Sequence, residues 1–81
     1  MQIPIIKKLT ETYTLIQLKS AETSLEEEET LEIEVEGEDE GEQLTHIIAA
    51  IWILEKMEAN DIAFGKALRE YTQKVRTSIG G

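Results

Sequence analysis

The chain has 81 residues, with 17 acidic and 8 basic side chains, a formal net charge of −9 and no cysteine. A chain of this size forms one domain, over residues 1–81, and without cysteine it has neither disulfides nor thiolate metal sites to stabilise it. Its negative charge argues against nucleic acid and anionic membrane surfaces as partners. The longest apolar run, residues 47–54, is too short to span a bilayer, so we expect a cytoplasmic protein with no membrane contact.

The N-terminal half of the chain predicts β-structure. Residues 12–19 (TYTLIQLK) are rich in β-branched and aromatic types, which favour strands. Residues 3–9 predict another strand, which Pro4 confines to its first residues or to a sheet edge, because proline cannot donate a backbone hydrogen bond.

The segment TLEIEVE, residues 30–36, has the clearest strand pattern. Three aliphatic residues alternate with three glutamates, and a period of two places the two kinds on opposite faces. The aliphatic face consists of Leu31, Ile33 and Val35. The acidic face consists of Glu32, Glu34 and Glu36.

From Glu42 onward the apolar spacing becomes helical and predicts two helices, over about residues 42–59 and 61–77. Asn60 suits a helix end and Asp61 a helix start, so we favour a helical hairpin, with one long helix as the alternative. The predicted fold class is therefore α+β. A short antiparallel sheet of two or three strands, at about 3–9, 12–19 and 30–36, precedes a hairpin packed on one sheet face.

Acidic residues are concentrated in residues 22–42, which hold twelve of them and no basic residue. We expect an acidic loop over 22–30 and a flexible C-terminal tail over 78–81. Glu36, Glu38 and Glu40 imitate the first ligands of a calcium-binding loop, but Ile47 stands where a bidentate glutamate is required. No metal site and no cofactor are predicted.

The helical region also predicts a homodimer, because a short chain with surplus apolar helix surface gains stability by self-association. Two rows of residues spaced seven apart run through it, three positions out of step, as in the a and d positions of a coiled coil. The predicted interface comprises Ile47, Ala50, Leu54, Met57, Phe64, Leu68 and Tyr71.

For function, we expect a non-enzymatic interaction or regulatory protein. In this hypothesis the acidic face of Glu32, Glu34 and Glu36 docks a basic protein partner by electrostatic attraction. The competing interpretation is that these carboxylates form only the solvated face of a half-buried strand, where charge deters edge-to-edge aggregation.

A second functional hypothesis is a nucleic-acid-binding regulator that uses one face of the last helix. This face comprises Lys66, Arg69, Gln73 and Arg76. The net charge opposes it.

His46 is the single histidine of the chain. It has no second histidine, no cysteine and no nucleophile at a recognisable spacing, so we predict a structural role for it rather than a metal-binding or catalytic one. Glu42, one helical turn away, is its predicted hydrogen-bond partner.

Overall fold

The computed structural model describes residues 2–80, with side chains through Arg76, and its architecture is all-helical. The helices are α1 (Ile3–Thr12), α2 (Leu15–Glu26), α3 (Glu40–Asn60) and α4 (Phe64–Gly80). No strand occurs in this part of the chain, so the predicted α+β fold with an antiparallel sheet is wrong.

The first predicted strand, residues 3–9, lies within α1. Pro4 stands in the first helical turn, where a missing backbone N–H costs nothing because no intrahelical acceptor awaits it. Ile6 and Leu9 are buried, and their spacing of three places both on the same side of a helix. Pro4, which the sequence pattern assigns to the start or edge of a strand, therefore lies in the first turn of a helix.

The second predicted strand, residues 12–19, instead contains the start of α2. Thr14 and Gln17 form a capping box: the Thr14 hydroxyl accepts a bond from the Gln17 N–H at 3.2 Å, and Gln17 Oε1 accepts one from the Thr14 N–H at 2.9 Å. Leu18 and Ala21 are then buried at helical spacing. This cap and packing outweigh the β preference of the residue types.

The third predicted strand, residues 30–36, is neither strand nor helix. Its alternating exposure is nevertheless present, because Val35 is buried while Glu34 and Glu36 are exposed. Alternation shows that a segment lies with one side on an apolar surface, and here that surface is made of helices. With the other two predicted strands helical, no strand remains to pair with it.

Helix α3 forms the centre of the molecule and packs against α1, α2 and α4. Asp39 caps its start by accepting a bond from the Glu42 N–H at 2.8 Å. Ile47, Ala50 and Ile53 have no exposed surface. A helix that is apolar on nearly all sides is surrounded by other elements, which explains its composition without a sheet.

The predicted helical hairpin is confirmed. Helix α3 ends at Asn60, and Asp61 adopts the left-handed conformation with φ 51°. The backbone N–H groups of Asp61 and Ile62 both donate to the Met57 carbonyl, which closes the helix end before α4 begins. Across the hairpin, the rings of Trp52 and Tyr71 lie 5.5 Å apart between centroids.

Helices α2 and α4 extend into the segments predicted as an acidic loop and a flexible tail. Helix α2 continues to Glu26, so the first residues of the predicted 22–30 loop are helical. Helix α4 continues to Gly80, into the predicted tail, and Gly81 lies outside the described residues. None of the helices described is both long enough and apolar enough to cross a membrane.

Candidate functional site

The candidate site is the segment of residues 31–36, which we call the acidic strap. Val35 is buried in the core, and Leu31 and Ile33 pack against that core while partly exposed. The three glutamates between and after them are exposed: Glu32, Glu34 and Glu36. The strap therefore presents a row of carboxylates on a segment that is attached to the core at every second residue.

Tyr13, at the end of α1, holds the strap at Glu34. Its hydroxyl accepts a hydrogen bond from the Glu34 N–H at 3.2 Å and lies 3.3 Å from the Glu34 carbonyl oxygen, to which it donates. One side chain thus binds both backbone polar groups of the central acidic residue.

Two side chains of α3 hold the next two strap residues. Gln43 Nε2 donates to the Val35 carbonyl at 2.9 Å, and His46 Nδ1 lies 2.9 Å from the Glu36 carbonyl. A residue with a Cβ at Gly37 would clash with Gln43, since that Cβ would lie 2.9 Å from its backbone nitrogen. Gly37 therefore lets the strap turn closely onto the start of α3.

His46 is fully buried and joins three parts of the chain. The backbone N–H of Gln2 donates to His46 Nε2 at 3.0 Å, which makes Nε2 an acceptor. The proton of the neutral ring is then on Nδ1, which donates to the Glu36 carbonyl. His46 thus has the predicted structural role, but its partners are Gln2 and Glu36 rather than Glu42. The Glu42 Oε1 atom is buried and has no hydrogen-bond partner among the described residues.

The charges of the strap are largely uncompensated. Lys8 Nζ lies 3.8 Å from Glu36 Oε1, and both side chains are more than half exposed, so this pair is weak. Within the described residues, Glu32 and Glu34 have no ion-pair partner. The strap therefore retains its negative charge toward solvent.

The residues before the strap add to this negative charge, because the four consecutive glutamates at positions 26–29 are all exposed. A hydrogen bond that protonated Glu29 donates to the Glu27 carboxylate, together with repulsion from the charge of Glu27 and a smaller effect of burial, raises the pKa of Glu29 above its ordinary value. A raised carboxyl pKa means that the folded state binds this proton more tightly than the unfolded chain does. The contribution of Glu29 to stability is therefore present at acidic pH and is lost as the pH rises through its folded-state pKa.

The residues predicted for a dimer interface lie along the α3–α4 hairpin. Ile47 and Ala50 are fully buried within the chain. The remaining five are partly exposed and pack against the core: Leu54, Met57, Phe64, Leu68 and Tyr71. The heptad rows are thus wholly or partly buried inside one chain, and the homodimer stays a prediction.

The predicted nucleic-acid face occupies α4, and its members are all exposed: Lys66, Arg69, Gln73 and Arg76. The ion pairs found in the described part of the chain involve Lys8 and Lys19, so none of these four residues takes part in one. No group of three or more histidine, cysteine or acidic side chains placed to hold a metal ion was found among the described residues.

Sequence reasoning did not identify the residues that hold the strap, Tyr13 and Gln43, or the partners of His46. Helix α2 separates Tyr13 from the strap, and α1 and α2 separate Gln2 from His46, so these contacts depend on the tertiary packing. Gln43 is eight residues from Val35, and its contact depends on the turn between the strap and α3. By contrast, the alternation of apolar and acidic residues alone predicts that the three glutamates are exposed.

The comparisons with known proteins identify a family. A family model described as a family of unknown function (DUF6952) matches residues 1–80, and the chain therefore belongs to that family. No curated protein and no solved structure matches the chain.

Proposed function

We propose that this member of a family of unknown function is a cytoplasmic, non-enzymatic interaction protein whose acidic strap docks a basic protein partner. In this proposal the partner carries lysine or arginine side chains that meet Glu32, Glu34 and Glu36. The attraction steers association and sets the orientation of the partner on the strap.

One observation supports the proposal above the others: the backbone of the strap is held while its carboxylates are exposed. Tyr13, Gln43 and His46 hydrogen-bond to three consecutive residues, 34–36. A mobile acidic loop would have to be ordered on binding, which costs free energy for each immobilised residue. A strap that is already held avoids that cost, so its charges favour docking more than those of a flexible segment.

The proposal includes a homodimer formed through the hairpin. Its support is the apolar surface that remains partly exposed on α3 and α4, at Leu54, Met57, Phe64, Leu68 and Tyr71. Ile47 and Ala50 have no exposed surface and stabilise the hairpin from within. In this arrangement the strap stays available to a partner because its glutamates lie outside the hairpin face.

The test compares variants of equal charge. Wild-type protein, a strap variant with Glu32→Gln, Glu34→Gln and Glu36→Gln, and a control with Glu11→Gln, Glu26→Gln and Glu58→Gln are titrated with a short lysine–serine peptide. All six side chains are exposed, so the variants should stay folded. We expect the strap variant to bind about tenfold more weakly and the control to bind like wild type.

The homodimer is tested on the same samples. Light scattering should give twice the chain mass of 9.2 kDa.

Two outcomes would contradict the proposal. Equal weakening in both variants would mean that net charge, and not the strap, attracts the peptide. Unchanged binding in the strap variant would mean that these glutamates take no part. A mass of one chain would remove the homodimer while leaving docking to the strap intact.

A second candidate function is nucleic-acid binding by α4. It is favoured by the exposure of Lys66, Arg69, Gln73 and Arg76 on one helix face without ion pairs in the described part of the chain, and opposed by the net charge of −9. A gel shift with mixed-sequence DNA at low salt tests it. Binding that is lost in a variant with Lys66→Gln, Arg69→Gln and Arg76→Gln would support this function, because each lysine or arginine on a phosphate releases counterions. Absence of a shift at micromolar protein would rule it out.

A further inference from the structure

A groove lies between α2 and the acidic strap. It has a volume of about 290 Å³ and is open to solvent. Ile16, Ser20 and Ser24 contribute from α2, and Glu32 and Ile33 contribute from the strap. Its size is near the lower end of known ligand pockets, so it fits one large side chain rather than a whole cofactor.

The α2 side of the groove carries an unusually exposed apolar residue. Ile16 is 82% exposed, compared with 46% for Ile3 and 42% for Ile48, the other large apolar side chains exposed in the described part of the chain. Burying such a side chain against an apolar partner is favourable in proportion to the area removed from water. Ile33 is half-buried on the opposite side, so an apolar group entering the groove contacts isoleucine from both sides.

The strap side of the groove has free backbone groups. Glu34, Val35 and Glu36 have backbone atoms bonded to Tyr13, Gln43 and His46. By contrast, the backbone N–H and carbonyl groups of Glu32 and Ile33 have no hydrogen-bond partner among the described residues. Glu32 and Ile33 lie in a bend rather than in an extended strand, so these unpaired groups offer individual hydrogen bonds to a bound segment and do not form a strand edge.

The charge around the groove specifies the occupant. Glu32 belongs to the groove, and exposed glutamates precede the strap at positions 26–29. No lysine or arginine lies between residues 20 and 55 of the sequence. Lys8 and Lys19 each lie near a glutamate, at 3.8 Å from Glu36 and 3.5 Å from Glu55 respectively. An acidic or phosphorylated ligand would be repelled, whereas a basic segment would be attracted.

We propose that the groove binds one large apolar side chain of an extended, lysine- or arginine-rich segment of the protein partner. The apolar residue of that segment packs between Ile16 and Ile33, and its basic residues meet the strap glutamates. Its polar groups can hydrogen-bond to the free backbone groups of Glu32 and Ile33. This inference rests on the proposed function and adds to it the apolar anchor and the place where it binds.

The test uses three peptides: the lysine–serine peptide, the same peptide with one central leucine, and a neutral glutamine–serine peptide with that leucine. The proteins are wild type, Ile16→Ser, Ser20→Phe to fill the groove, and Ile48→Ser as the matched control. Calorimetric titration measures each affinity. Ile16, Ser20 and Ile48 are all exposed, and circular dichroism verifies that each variant is folded.

We expect the leucine to tighten binding of the lysine peptide to wild type about tenfold. Ile16→Ser and Ser20→Phe should remove this gain and leave the affinity for the lysine–serine peptide unchanged, and Ile48→Ser should preserve the gain. If the lysine–serine peptide binds but leucine adds nothing, the groove inference is wrong and docking to the strap stands. If neither lysine peptide binds, the proposed function fails with it. A neutral leucine peptide that binds as tightly as the basic one would overturn the basic character of the occupant.

Discussion

Replacement of His46 by alanine is expected to lower the free energy of unfolding by about 3 kcal/mol. The ring is fully buried, so its removal leaves a cavity. It also leaves the Gln2 N–H and the Glu36 carbonyl without their partner. Urea denaturation at neutral pH, followed by circular dichroism, measures the change.

His46→Asn is the informative control for this prediction. The asparagine amide can donate to the Glu36 carbonyl in place of Nδ1, but it is too short to accept the bond from Gln2. We expect it to lose about half as much stability as the alanine variant. A loss below about 1 kcal/mol for His46→Ala would show that the histidine does not join α1, the strap and α3 as described.

Ile53→Ala should have a comparable effect, lowering the free energy of unfolding by about 3 kcal/mol. Ile53 lies on the central helix α3 and has no exposed surface, so the shortened side chain loses its packing and leaves a cavity. The matched control is Ile16→Ala, the same change at a side chain that is 82% exposed, which should alter stability by less than about 0.5 kcal/mol. Thermal or urea unfolding of the two variants provides the comparison.

A similar loss in both isoleucine variants would contradict the arrangement of α3 at the centre with α2 displaying Ile16 outward. The same would follow if Ile53→Ala were nearly neutral. The pair therefore tests the packing of the molecule independently of its function.

The sequence predicts the C-terminal half of this fold well and the N-terminal half poorly. In the second half, apolar spacing of three, four and seven residues identifies both helices, and Asn60 and Asp61 mark the break between them. These signals are local, and tertiary packing reinforces them. They also indicated that α3 is surrounded on several sides, although the covering elements are α1 and α2 rather than a sheet.

In the first half, residue types and hydrogen-bonding signals disagree. The β-branched residues around Tyr13 favour a strand, whereas Thr14 and Gln17, three apart, form a capping box that starts a helix. Pro4 near the chain start is likewise a helix-start signal. A prediction that gives these helix-start signals more weight than residue composition places helices at α1 and α2.

The candidate site is likewise predictable from the sequence only in part. Alternation along residues 31–36 correctly predicts which side chains are exposed, because that property follows from the period alone. It cannot show what the segment packs against. The bonds from Tyr13, Gln43 and His46 arise from three elements meeting in space, and no spacing in the sequence encodes them.

The central claim is that the acidic strap is held in place rather than mobile, and backbone ¹⁵N relaxation measures this most directly. We predict order parameters for Glu34, Val35 and Glu36 near those of α3, at about 0.85, because each of the three residues is bonded to a helix or helix-end side chain. Values below about 0.6 at these residues, with α3 still rigid, would show a flexible acidic loop and would contradict the account.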